Sequence, residues 1–419
     1  MLKNSQKLIG TIAIFAVLWS SQAYSFEPRP ENFTIVPADM WAYWLLFLAP
    51  AGLALSPIKL SEDINYILWT MVGVLFILLI GLRYNVGGDF DNYLTYYELA
   101  IAEVTEVFTG ETAINFGVAY GNASGYMALN ALTHQMGIWG LHGIYFVNTF
   151  CATIFVFGLV KFCRKQPLPW LALTVAVPYM VCAVSMGYTR QATALGFLMW
   201  GLSLLRPGNE LKYVALIFIG SLFHLSVMAT LPFVLCAREK THMSIYLILA
   251  LMAGFIAYFL ASLEVGTTGS LSDNLVVVWE YTATRNSPGG PIRTYMNVLP
   301  VLISLLVWKK IKMISTDDFK VIKWMAIAAL LSLPALLYSY TLTDRIGIYL
   351  MPIQLALWPR IIAVQKTSML RSTWASSVIA FYGLVLYVFF HYANHSHMWL
   401  PYLMYPFTSE PIYPHPIIM

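Results

Sequence analysis

Apolar runs of about twenty residues alternate with short polar breaks along the chain, and roughly 20 apolar residues are what one helical crossing of a bilayer requires. The pattern predicts helices over 41–57, 65–82, 141–162, 168–187, 190–205, 243–262, 294–308, 321–339, 346–363 and 374–391. The apolar run 211–236 is too long for one untilted crossing and too short for two. Treating it as a single crossing would invert every later loop and export Lys309 to Lys323, against the positive-inside rule. The expectation is therefore two short helices meeting near His224. Such a broken hairpin is tolerated only where protein or water surrounds its backbone.

Residues 1–25 read as a signal-like segment or a first transmembrane helix: Lys3 and Lys7 precede an apolar core from Leu8 to Trp19, and Ala23-Tyr24-Ser25 resembles a cleavage site. Residues 26–391 form the polytopic domain, with outer loops at 83–140 and 263–293, and 392–419 form an outer-facing tail. The fold class expected is all-α, a polytopic transmembrane helical protein of about 12–13 membrane segments including the broken hairpin. No internal repeat of a transporter type stands out.

Composition agrees with a lipid-facing surface. The chain is 59% hydrophobic and 11% charged, against about 25% charged in soluble domains. A net charge of +4 with no basic stripe outside the inner loops argues against nucleic acid as a partner. Cys151, Cys163, Cys182 and Cys236 all fall in spans or at their inner ends, where an outer-face disulfide has no place. Charge changes the picture more. The loops holding Lys161, Lys165, Lys212, Lys240, Lys309, Lys310, Lys312, Lys320, Lys323 and Lys366 sort to one face, while Arg29, Arg83, Arg190, Arg285, Arg293 and Arg345 sort to the other. Guanidinium grips phosphate or carboxylate in a two-pronged fork that ammonium does not match.

The densest candidate chemistry lies in Arg83-Tyr84-Asn85-Val86-Gly87-Gly88-Asp89-Phe90-Asp91-Asn92-Tyr93. Gly87-Gly88 permits a tight turn that would hold Asp89 near Arg83. That pair reads either as an anion clamp beside a general base or as a structural salt bridge closing a helix end. Arg190 and Arg345 repeat the theme at two further outer helix mouths, where interfacial anchoring is the alternative. His224 stands mid-hairpin, as a packing residue or as a proton-handling or phosphate-contacting group. His391, His395 and His397 cluster without an acidic or thiol partner, so no metal site is assigned. Nucleotide-binding, zinc-protease and serine-elbow signatures are all absent, and no cofactor is expected.

Taken in order, these segments resemble the EpsG family of polysaccharide polymerases, within the wider O-antigen polymerase (Wzy) group. The family's Arg, Gly, Asp and Tyr are matched by Arg83, Gly87 or Gly88, Asp89 and Tyr93, and its Gly-Tyr with Leu-Asn by Gly125-Tyr126 and Leu129-Asn130. The Arg-Gln helix start is matched by Arg190-Gln191, the Phe-His-x-Ser piece by Phe223-His224 and Ser226, and the final Arg with Tyr by Arg345 and Tyr349. An acidic residue often found before the Gly-Tyr piece is replaced by Asn122 and Ser124, and the signal-like start is extra.

The resemblance implies a membrane glycosyltransferase, GT-C-like in fold, that joins oligosaccharide repeat units carried on undecaprenyl diphosphate. It places the enzyme in the bacterial inner membrane, with the active site on the periplasmic side and without a nucleotide sugar. Membrane lipids and a chain-length regulator protein are the other partners it brings in. On that reading Arg83, Arg190 and Arg345 clamp the diphosphate, Asp89 is the first choice of base and His224 the second. Tyr93, Tyr349, Asn130 and Gln191 contact substrate, and Trp279 and Tyr281 stack on sugar rings or merely pack. Three rivals stand beside it: a flippase or transporter for the same lipid-linked glycan, a ligase that moves the finished glycan to another acceptor, and a non-enzymatic scaffold.

Overall fold

A computed structural model of the chain describes residues 33–58, 60–98, 124–237, 289–315, 317–337 and 340–408. Among these the chain is helix and connecting turn, with one isolated bridge between Arg83 and Met404. In chain order the helices are α1 (Trp41–Leu55), α2 (Glu62–Gly81), α3 (90–98), α4 (Ser124–Gln135), α5 (Gly140–Cys163), α6 (Pro169–Ala176), α7 (Thr189–Leu204), α8 (Glu210–Ser221), α9 (Gly289–Leu305), α10 (Trp308–Ile314), α11 (Phe319–Ala335), α12 (Tyr340–Leu350), α13 (Pro352–Ala363) and α14 (Ser368–Tyr392).

Most boundaries fall within a few residues of the hydropathy pattern. Local chemistry explains several of them: Ser61 Oγ accepts from the Ile64 amide to cap α2, and Thr367 Oγ1 accepts from Leu370 to cap α14. The run 211–236 is the expected broken hairpin. α8 ends at Ser221, the chain turns through Leu222 to His224, and a 3-10 segment, Leu225–Ala237, returns beside it. Tyr213 donates its hydroxyl to the Thr230 carbonyl at 2.8 Å, pinning the two arms together.

Among the described residues, four helical stretches are long and apolar enough to cross a bilayer alone, Pro37–Leu55, Glu62–Gly81, Gly140–Cys163 and Ser368–Tyr392. A fifth candidate is Thr343–Leu350 with Pro352–Ala363, bent by 44°. The other described apolar runs form shorter helices, some of them interrupted or ended by Pro232, Pro334 and Pro352. Neighbouring helices, not lipid, cover much of the remainder: every residue from Trp170 to Gly187 is buried. The loop 83–140 is not loop throughout, since α3 and α4 lie within it. Residues 1–25 and 243–262 lie outside the described residues.

The two charge-sorted ends are physically distinct. At the lysine end Trp69 stacks on Trp170 at 3.9 Å, and buried Arg360 of α13 draws in three polar groups. It donates to Ser315 Oγ at 2.9 Å, to the Gln166 side-chain oxygen, and to Asp318 at 2.5 Å. At the opposite end the turns after α2, before α7 and at the hairpin tip come together with α12 and the segment after α14.

Candidate active site

The site is built on a backbone clasp. From Val177 to Ser185 the helix continuing α6 widens to π geometry, delivering the Met186 carbonyl toward the turn after α2. Gly87 sits against that carbonyl with φ +101°, and a Cβ there would lie 2.0 Å from the Met186 oxygen. Only glycine allows both the dihedral and the approach. The Gly87 amide donates to the Met398 carbonyl at 2.8 Å, and Tyr84 and Tyr405 exchange backbone bonds with Leu403 and Leu82 at 3.0 and 2.9 Å. Trp399 donates its indole N–H to the Cys182 carbonyl at 2.9 Å. The segment 396–405, drawn from sequence as part of an outer tail, is thus packed into the core through buried Trp399, Leu400 and Tyr402.

Arg83 is the rivet of this clasp. It is 0% exposed. Its Nε donates to the Val86 and Met186 carbonyls at 3.1 and 3.0 Å, Nη1 to Ile80 at 2.5 Å, and Nη2 to Thr189 Oγ1 at 2.7 Å. The expected Arg83–Asp89 pair is therefore not made, because the glycine turn folds Arg83 inward toward carbonyls and carries Asp89 outward.

Asp89 instead lies within electrostatic reach of Arg190 and Arg345. It is half-buried at the mouth of α3, where its carbonyl accepts from the Tyr93 amide at 3.0 Å and its carboxylate accepts from Asn92 at 3.4 Å. Burial raises its pKa above the ordinary carboxylate value, while Arg190, Asn92 and Arg345 pull it back down. Arg190 occupies the second position of α7, where unpaired helix amides also favour anions. Its guanidinium lies over the Tyr96 ring at 4.8 Å and donates to the Tyr96 hydroxyl at 3.5 Å, and its charge acts on the buried Tyr93. Half-buried Arg345 enters from α12, which is tied to α9 by a buried Arg293–Asp344 salt bridge of 2.6 Å.

The hairpin tip closes the group. His224 Nδ1 lies 2.6 Å from Ser226 Oγ and 3.2 Å from the Tyr349 hydroxyl, and Ser226 donates to Tyr349 at 3.3 Å. Both Arg190 and Arg345 act electrostatically on His224. The tip itself rests on α4: the Gly125 amide donates to the Leu222 carbonyl at 2.8 Å, and a Cβ on Gly125 would lie 2.8 Å from Leu222 Cβ. Tyr126 follows, buried against Tyr93 at 5.5 Å between ring centres.

Of the residues expected from sequence, then, Asp89, Tyr93, Arg190, His224, Arg345 and Tyr349 share one neighbourhood, with Arg83 behind it. Asn130 is buried on α4 with its side-chain nitrogen unpartnered, and Gln191 is half-buried beside Arg190. Sequence reasoning missed Tyr96, whose signal was the Tyr93 spacing of one helical turn, and Thr189, which receives Arg83. Trp279, Tyr281, Arg285 and Arg29 lie outside the described residues. Among the described residues no group of three His, Cys, Asp or Glu is placed to hold a metal ion.

The family model for EpsG matches residues 66–404. The chain belongs to the EpsG family. That match runs from α2 to the clasp at Met404 and so contains every side chain of the site just described. As an EpsG family member the protein is a helical membrane protein of polymerase-like type in exopolysaccharide biosynthesis. Neither the curated proteins nor the solved structures yielded a match to this chain.

Proposed function

We propose that this EpsG protein is a membrane glycosyltransferase that polymerises oligosaccharide repeat units carried on undecaprenyl diphosphate, working at the periplasmic face of the bacterial inner membrane. The observation that carries the reading is the meeting of separate segments: α7 sets Arg190 over Tyr96 of the Asp89 segment, and the hairpin tip meets α12 with His224 Nδ1 3.2 Å from the Tyr349 hydroxyl. Arg190 and Arg345 thereby both act electrostatically on Asp89 and His224. The acceptor hydroxyl oxygen attacks the anomeric carbon of the donor sugar. The carbon–oxygen bond to the diphosphate breaks, and its electron pair leaves on the diphosphate oxygen. Arg190, Arg345 and the first amides of α7 stabilise that negative charge where it develops. Asp89 takes the hydroxyl proton, and its raised pKa makes it a better acceptor than an ordinary carboxylate.

His224 fits a donor better than a base. With the Tyr349 hydroxyl accepting from Ser226 and donating its own proton to Nδ1, the ring proton is on Nε2, available to a phosphate or sugar oxygen. Tyr96 and Tyr349 hold Arg190 and His224 in place, Tyr93 packs against Tyr96 and Tyr126, and Arg83 serves by fixing the loop that presents Asp89. Asn130 and Gln191 are assigned to sugar hydroxyls.

The test is glycan joining by purified protein on lipid extracted from a polymerase-deletion strain. Asp89→Asn and Arg345→Lys should abolish or severely slow joining, and wild-type rates from either would refute its assignment. The flippase reading draws support from two broken elements, the hairpin and the bent α12–α13 pair, meeting at His224 and Tyr349. Joining of units in detergent, where there is no second compartment, decides against it.

A further inference from the structure

A polar wire runs through the apolar interior from α13 and α14 toward the charged cluster, and its direction is uniform. It starts at Trp358 of α13, whose indole N–H donates to the Tyr382 hydroxyl of α14 at 3.0 Å. Tyr382 donates to Gln354 Oε1 at 2.6 Å, and Gln354 Nε2 donates to Asn297 Oδ1 at 2.6 Å. Asn297 Nδ2, on α9, donates to the Gly347 carbonyl of α12 at 2.9 Å. All four side chains are at most 3% exposed. Buried amides are expensive when unpaired, and a chain in which each donor polarises the next is stronger than its separate links.

The end of the wire has a specific cause. Pro352 breaks the helix, and the Met351 amide bonds the Ile348 carbonyl at 3.3 Å instead of Gly347, its α-helical partner. The kink thus releases the Gly347 carbonyl inside the protein, where Asn297 caps it. Gly347 lies two residues from Arg345 and two from Tyr349, so whatever holds its carbonyl sets the rotation and height of both side chains.

We infer that Asn297, Gln354 and Tyr382 are positioning residues that hold the broken helix α12 so that Arg345 and Tyr349 face His224 and Asp89. The inference rests on the reading of Arg345 and Tyr349 as site residues, and its test separates the two. One readout is geometric: a protein carrying Ser226→Cys and Tyr349→Cys is treated with a short bis-methanethiosulfonate cross-linker, with and without Asn297→Leu. The other is functional: the length profile of polysaccharide from a deletion strain complemented with Asn297→Leu, Gln354→Leu or Tyr382→Phe.

Displacing a catalytic group by an ångström costs about a hundredfold in rate. Asn297→Leu should therefore shorten the glycan drastically at normal protein abundance and lower the cross-link yield several-fold. Gln354→Leu and Tyr382→Phe should do the same with decreasing severity along the wire. Unchanged cross-linking in Asn297→Leu overturns the inference, whatever happens to glycan length. Reduced cross-linking with full-length glycan upholds the positioning and instead sinks the reading of Arg345 and Tyr349 as site residues. If Asn297→Leu fails to accumulate, Tyr382→Phe, which removes one oxygen, carries the same two readouts.

Discussion

Arg83 and Arg345 carry the same charge and both match family motif positions, yet their loss should have opposite consequences. Arg83 spends its donors on the Val86, Met186 and Ile80 carbonyls and on Thr189 Oγ1. Each hydrogen bond from a charged group is worth about 1.5–3 kcal/mol, and a buried acceptor left unpaired costs about 1–3 kcal/mol. These contributions overlap and the surroundings relax, so Arg83→Met should cost about 3–5 kcal/mol in all. Against a typical stability of about 5–15 kcal/mol, that is enough to deplete the folded protein in cells.

Arg345→Met removes a half-buried side chain that faces Asp89 and His224, so abundance should hold while polymer is lost. Removal of one such stabilising donor typically costs about 10²–10³ in rate. The assay pairs membrane immunoblots and unfolding temperature in detergent with glycan length from the complemented deletion strain. A stable, abundant Arg83→Met protein that makes no polymer would refute the structural role and return Arg83 to the substrate.

Three further outcomes are expected. Asp89 is held protonated to a higher pH than an ordinary carboxylate, so joining should fail on acidification at a pH above its usual 3.8, and a rate–pH profile reads this directly. Because the folded-state pKa is raised, the charged form destabilises the protein above that pKa. Asp89→Asn should thus raise the unfolding temperature at neutral pH, an advantage that vanishes at acid pH, while joining is lost; a destabilised Asn variant would contradict this. Gly87→Ala must adopt a positive φ and meet the Met186 oxygen, so it should reduce abundance by costing about 1–3 kcal/mol or more. Truncation after Ala393 removes the Trp399 bond to Cys182 and the Met404 bridge to Arg83, and should abolish accumulation; a stable truncated protein would show that the segment is dispensable.

What the amino-acid pattern determined was the helices and their two ends. Runs of apolar residues leave the backbone no partner but itself, so 41–57, 65–82, 141–162 and 374–391 had to become helices close to where they are found. The anomalous length of 211–236, weighed against the lysines beyond it, was enough to foresee a hairpin broken at His224. Motif order likewise pointed to Asp89, Arg190, His224 and Arg345 before any of them had a position in space. Which arginine meets which partner was not legible, because that depends on contacts between residues more than a hundred positions apart. Gly87 lets the loop reach Met186, and that single close approach turns Arg83 inward and Asp89 toward Arg190. The sequence pattern drew 346–363 as one helix; the kink at Pro352, and Asn297 capping the carbonyl it frees and so aiming Arg345, are decided only when α9, α13 and α14 pack together.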